Sequence, residues 1–274
     1  MKVIWFNGNL GNQIFYCRFK DYLLSLNPNE RVYAFFDPKC PPIKVAEYTN
    51  LTLPNKKPII DALSFFVFRI MGAFYRRVPK ALIPSWYCGR GPINTKATFF
   101  ASSLQDCFYY RSDKSDWLQI NLPSSLSDEY LYYDNLIRNN ESICIHVRRG
   151  DYIKPGSAYE DLTMSDYYER AIQIAKSRFP EGKLFFFSDD INYVKSRFPG
   201  NDSFFVNCNS GSQSYLDIRL MSLAKVNIIA NSTFSYWAAY INNEKKTVIY
   251  PLSWFKKETG RASPNIMLDS WFGI

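Results

Sequence analysis

His146-Val147-Arg148-Arg149-Gly150-Asp151-Tyr152 follows directly on the apolar run Ile143-Cys144-Ile145. The apolar run reads as a buried strand, and it delivers the chain's single histidine, two guanidiniums and a carboxylate into one turn. Arginine presents a fixed fork of donors that matches phosphate oxygens and keeps its charge at any working pH. Open α/β sheets bind ligands at the carboxyl ends of their strands, which is where this turn falls. The alternative is a surface turn in which Asp151 pairs with Arg148 or Arg149.

The sequence after the turn alternates helix and strand. Thr163 and Asp166 form a capping-box pattern, and Tyr168, Ala171, Ile172, Ala175 and Phe179 place a helical face over 163–179, stopped by Pro180 and Gly182. A strand over 184–187 ends at Ser188-Asp189-Asp190, and a shorter one covers 204–206. A helix over 215–225 leads to a strand over 226–230. Asn231-Ser232-Thr233 then opens a helix over 234–241, before a last strand over 247–250. This half predicts βαβ units on a parallel sheet.

The other half starts with a strand over 2–6, the glycine-bearing loop Asn7-Gly8-Asn9-Leu10-Gly11-Asn12-Gln13 and a helix over 13–26. Strand, glycine loop and helix in that order can present backbone N–H groups to an anion, or simply make a tight turn. Residues 37–60 read as irregular, and 84–140 yield no firm assignment. Asn139-Asn140-Glu141 marks the expected boundary, giving lobes 1–140 and 141–274.

Aromatic residues make up 18% of the 274 positions, enough for a packed core and against disorder. The net charge of +8 fits nucleic acid, an anionic membrane surface or a phosphorylated small molecule. The basic residues form no dense block, which disfavours nucleic acid. Six cysteines without CxxC spacing and one histidine argue against a metal site and for a reduced, cytoplasmic setting. Met1-Lys2 runs straight into Val3-Ile4-Trp5-Phe6, so no signal peptide is expected. The apolar residues 63–75, followed by Arg76, Arg77 and Lys80, are too short to span a bilayer. They read as a core helix with a basic turn, or as a segment lying on a membrane surface.

Several stretches together resemble the α-1,2-fucosyltransferases of glycosyltransferase family 11. They are residues 8–15 (GNLGNQIF), the HVRRGDY run at 146–152, residues 185–190 (FFFSDD), residues 217–222 (DIRLMS), residues 231–240 (NSTFSYWAAY) and Trp254-Phe255. They span nearly the whole chain in the family's order. Two positions depart from the family pattern: Asn9 replaces a second glycine, and Tyr236 replaces a tryptophan.

The resemblance implies an inverting, metal-independent enzyme of the GT-B type, with two Rossmann-like lobes of mostly parallel sheet facing a cleft. An N-terminal acceptor-side lobe would face a C-terminal lobe that binds GDP-L-fucose. The acceptor expected is a terminal β-galactoside of a bacterial surface glycan, free or lipid-linked, with peripheral contact to the cytoplasmic membrane. Arg148 is assigned to the leaving β-phosphate, where a pre-placed guanidinium favours the transition state. Arg149 serves as a second donor contact or a structural ion-pair partner. Ser232, Thr233 and Ser235, with Asn231, would hold the diphosphate or cap the helix. His146 and Asp217 would lie around the guanine, Asp217 alternatively as a solvated helix charge. Asp151 is the candidate general base, or the partner that orients the arginines; Glu160 and Asp161 are alternatives for the base. Asn12 and Gln13 would touch donor or acceptor from the other lobe. Asp189-Asp190 reads as a strand-end turn, or a ribose or base contact. A GDP-sugar-binding or hydrolysing protein, or transfer to another acceptor or linkage, are the rival readings.

Overall fold

The structure, a computed structural model, describes residues 1–36, 45–54, 86–87, 92–111, 115–242 and 246–274. The segment read as core or membrane-surface, 63–80, lies outside the described residues. The chain divides into two compact units, Met1–Ser112 and Asp113–Ile274.

The first unit carries the strands β1 (Lys2–Phe6), β2 (Val32–Phe36), β3 (Trp86–Tyr87) and β4 (Phe99–Phe100). They form one sheet in the order β2-β1-β4-β3, and all its strand pairs are parallel. The helix after β1, Leu10–Leu26, buries Leu10, Ile14, Phe15, Cys17, Phe19 and Leu23. It starts three residues before the expected 13, because the glycine loop closes within Asn7-Gly8-Asn9. Gly8 has φ +74°, and a Cβ there would lie 2.2 Å from Asn12 Nδ2, so only glycine fits.

The second unit carries β5 (Ser142–Val147), β6 (Lys183–Ser188), β7 (Ser203–Val206), β8 (Val226–Ile228), β9 (Thr247–Tyr250) and β10 (Phe272–Gly273). These make a six-stranded parallel sheet ordered β10-β9-β8-β5-β6-β7. Every residue of β5 is buried, as expected of a central strand covered on both faces. Helix Tyr167–Arg178 covers one face with Tyr167, Tyr168, Ala171 and Ala175. Both units are the parallel α/β type that the sequence predicts.

Three elements differ from expectation. The helix expected from Thr163 begins at Tyr167, because Asp161 caps a 3-10 turn Leu162–Met164 ahead of it. The helix from Tyr215 ends at Met221, whose carbonyl accepts from Asn227 Nδ2 at 2.9 Å. A helix over Asp128–Arg138, capped by Ser127, falls on the N-terminal side of the expected boundary at 140 but belongs to the second unit. Its Tyr133 hydroxyl donates to Phe205 O at 3.3 Å, next to the end of β7. The division between units accordingly lies at 112–113. Among the described residues no helix is long and apolar enough to cross a membrane.

Candidate functional site

The site is built where β5, β6 and β8 end. β5 and β6 run in register to Val147 opposite Ser188, so Arg148-Arg149 leave the sheet beside Asp189-Asp190. Arg148 is held from two sides. Its Nη1 pairs with Asp189 Oδ2 at 2.9 Å, while its Nη2 and Nε donate to Asp151 Oδ1 at 2.5 and 3.1 Å. Burial works against the guanidinium charge, but the Asp189 and Asp151 carboxylates outweigh it and raise its pKa. Asp189 also accepts the Arg149 backbone N–H through Oδ1 at 2.9 Å, so one carboxylate fixes both a side chain and the turn. Gly150 makes room for it: a Cβ there would sit 2.4 Å from Asp189 Oδ2.

Arg149 points the other way and is structural. Its Nε pairs with Asp190 at 3.1 Å, its Nη1 donates to Thr163 Oγ1 at 3.1 Å, and its guanidinium lies 3.6 Å from the Tyr193 ring centroid. Thr163 in turn donates to Asp161 Oδ1 at 2.6 Å. Thus Thr163 works as a link in the arginine's scaffold, and Asp161 commits its carboxylate to that hydroxyl and to capping Thr163 N–H at 3.0 Å.

His146 lies one step back, 6% exposed, with its ring 5.6 Å from Phe234. Burial, reinforced by the Arg148 charge, pushes its pKa down to about 3, so it is a neutral imidazole at working pH. Its Nδ1 is buried without a hydrogen-bond partner.

The turn after β8 joins the same strand-end cluster. The Tyr152 hydroxyl donates to Asn231 O at 2.9 Å. The Asn231 side chain is committed to scaffolding: its Nδ2 donates to Glu160 O and Trp254 O, each at 2.9 Å. Ser232 caps the helix Thr233–Tyr240, its Oγ accepting from Phe234 N–H. Ser235 is 1% exposed and donates to Ser232 O at 3.3 Å. Thr233 is half-buried on the first turn of that helix, where the N–H groups and the dipole favour an anion. Of the four, Ser232 and Thr233 stand at the helix start, while Asn231 and Ser235 hold the turn.

Asp217 sits in the first turn of Tyr215–Met221 and accepts from Asn209 Nδ2 at 2.7 Å. Burial pushes its carboxyl up to about 7, partly countered by the Asn209 hydrogen bond. It is therefore a desolvated acceptor and not the solvated helix charge of the alternative reading. In the first unit, Asn12 Oδ1 accepts from Gln105 Nε2 at 2.9 Å, and Gln13 Nε2 donates to Gly8 O at 3.2 Å. Gln13 Oε1 is buried without a partner.

Sequence reasoning missed Asp189 and Asp190 as the braces of the arginines. The signal was present in two parallel strands of matched length, each ending in charged residues. It also missed Tyr159, which stacks on Tyr152 at 4.2 Å and 3°. No residue pattern points to that pair. Among the described residues no three His, Cys, Asp or Glu side chains converge as a metal centre would need.

The family model for glycosyl transferase family 11 matches residues 43–274, which takes in the whole second unit. Two curated proteins of Escherichia coli are similar over parts of their length. The O-antigen biosynthesis glycosyltransferase WbnK is 35% identical over 162 residues, covering 57% of this chain and 53% of that protein. An alpha-1,2-colitosyltransferase is 34% identical over 167 residues, 58% and 57% of the two chains. The match thus spans little more than half the length of either relative. In fold, the chain is similar to E. coli ADP-heptose LPS heptosyltransferase II, with a TM-score of 0.50 at 12% identity over all of this chain and 90% of that one. That likeness is of fold alone and fits the GT-B type of architecture.

Proposed function

The chain belongs to glycosyltransferase family 11, and we propose that it transfers L-fucose from GDP-β-L-fucose, with inversion and without a metal, to O2 of a terminal β-galactoside in a bacterial surface glycan. The observation that carries this reading is Arg148, a guanidinium with its charge reinforced and its geometry fixed by two carboxylates at a strand end.

As the anomeric carbon–oxygen bond breaks, negative charge grows on the β-phosphate. A guanidinium already oriented there binds that charge without reorganising. Asp189 is the positioning residue, since it fixes Arg148 and the Arg149 backbone together. The donor phosphate would compete with Asp151 for the Arg148 fork. Asp151 is 54% exposed, and once released it stands free to take the proton of the acceptor hydroxyl. Ser232, Thr233 and the N–H groups of the helix start receive the remaining phosphate oxygens. Asp217 accepts from the guanine N1–H and amine, and neutral His146 packs behind the base side of the turn. Asn12 and Gln13 shape the loop of the other lobe. The lipid-linked acceptor and a cytoplasmic, membrane-peripheral setting belong to the same proposal.

A second reading is favoured by the relative named alpha-1,2-colitosyltransferase: transfer of a colitosyl group to the same position. Labelled GDP-fucose with terminal-galactose acceptors, in the presence of EDTA, tests the proposal. An α-1,2-fucosylated product supports it. GDP release without glycoside points to hydrolysis. Transfer only from a colitosyl donor assigns the second reading.

A further inference from the structure

The cluster around the arginine turn carries the wrong charge for the ligand proposed to bind there. Arg148 and Arg149 face Asp151, Asp189 and Asp190, two guanidiniums against three carboxylates. His146 adds nothing, being neutral. A dianionic diphosphate brought to a net negative cluster needs a further cation nearby.

One cation stands at the other end of a ladder of rings that begins at Arg148. The Arg148 guanidinium lies 5.5 Å from the Tyr152 ring centroid. Tyr152 stacks on Tyr159 at 4.2 Å, and Tyr159 meets Phe255 at 5.3 Å. The Arg261 guanidinium lies 5.7 Å over Phe255. The Tyr159 hydroxyl feels all three charges, Asp151, Arg261 and Arg148, although its own pKa is raised chiefly by burial.

The loop carrying Arg261 is tied down rather than trailing. Tyr159 and Phe255 form an antiparallel bridge, Glu160 N–H donates to Trp254 O at 3.1 Å, and Lys256 N–H donates to Ala158 O at 3.0 Å. Ser263 accepts from Trp254 N–H at 3.2 Å and donates to Leu252 O at 2.9 Å. Asn231 Nδ2, from the diphosphate-side turn, holds Trp254 O at 2.9 Å. Arg261 itself is exposed, and no carboxylate pairs with it among the described residues. Both arginines of the turn are already paired with aspartates.

We propose that Arg261 is the second cation of the nucleoside-diphosphate site, meeting the phosphates across the Tyr152–Tyr159–Phe255 ladder from Arg148. The assignment rests on the GDP-sugar reading and deepens it. It brings Arg261, but not the rest of the loop 251–263, into the donor site, so that Arg261→Gln weakens diphosphate binding without touching the base.

The test is calorimetric titration of the full chain with GDP and with guanosine. Arg261→Gln is expected to weaken GDP about tenfold, the size of one charge-assisted contact, and leave guanosine unchanged. Arg261→Lys should restore part of the loss, since it keeps the charge but not the fork. Lys257→Gln, an exposed lysine on the same loop, is the control for a general loss of charge and should change GDP affinity less than about twofold. Wild-type affinity in Arg261→Gln, or an equal loss in Lys257→Gln, overturns the assignment while leaving the donor reading intact. If the wild-type protein binds no GDP, the donor reading fails and the role of Arg261 falls with it.

Discussion

Asp217→Asn is the perturbation whose sign is least ambiguous. The carboxyl of Asp217 is pushed from the ordinary value of 3.8 up to about 7 by burial, so the ionised form is penalised in the folded state. A group with a raised folded pKa favours folding below about pH 4, and that contribution is lost as pH rises to 7. A rise of that size corresponds to about 4 kcal/mol at most, and relaxation around a half-buried carboxylate brings the expectation to about 2–4 kcal/mol. Asparagine is isosteric and its carbonyl can still accept from Asn209 Nδ2, so little else changes. The variant should therefore be more stable than wild type at pH 8, by about 4–10 °C in the melting of the second unit, and equal to it near pH 4. Thermal melts of both proteins between pH 4 and 8.5 read this directly. A difference that does not open with rising pH, or a variant less stable at pH 8, refutes the reasoning. If Asp217 makes the proposed guanine contact, the same change should abolish most GDP-fucose affinity, because asparagine cannot supply the carboxylate that pairs with N1–H and the amine. In the wild type that affinity should rise as pH passes 7.

Other perturbations follow from the same geometry. Gly150→Ala drives a methyl into Asp189 and should lower transfer by about 10-fold or more with a modest change in melting temperature, measured by steady-state kinetics beside a thermal melt. Asn231→Ala removes the amide that Glu160 O and Trp254 O share, Trp254 O keeping the Glu160 N–H, and should cost about 1–3 kcal/mol in denaturant unfolding. Asp189→Asn should lower kcat far more than it raises the donor KM, since a positioning residue acts on the transition state through Arg148. Gly8→Ala should destabilise the first unit, because φ +74° and the Asn12 side chain both oppose a methyl; local melting or proteolysis of residues 1–112 reads it.

Much of the second unit is legible in the sequence because parallel strands buried on both faces appear as short apolar runs. Residues 143–147 and 184–187 carry that signature, and the turn after each is charged. Helix Asp128–Arg138 is hidden because it buries only Tyr130 and Ile137, while Leu131 and Tyr132 stay exposed and blur which face is apolar. Thr163 misleads for a different reason. Its hydroxyl reads as a helix cap, but tertiary contacts recruit it to Arg149 and Asp161. In the site, Arg148 stands out by residue type and strand-end placement, whereas His146 and Asp217 enter as candidates only through the family resemblance. The partners of the arginines are not legible, because Asp189 lies 40 residues from Arg149 and reaches it only through strand register. The division of roles between Asp151 and the ion pair is likewise a matter of geometry: Asp151 sits on Arg148, and the scaffold Asp190 on Arg149.

The central claim is that Arg148 carries the leaving phosphate. Single-turnover transfer from GDP-fucose by wild type, Arg148→Ala and Arg148→Lys, with GDP affinity measured alongside, tests it most directly. The expected result is a loss of about 10²- to 10³-fold in the chemical step for Arg148→Ala, with Arg148→Lys failing nearly as badly. Near-wild-type turnover in Arg148→Ala, in a protein that still melts cooperatively, would contradict it.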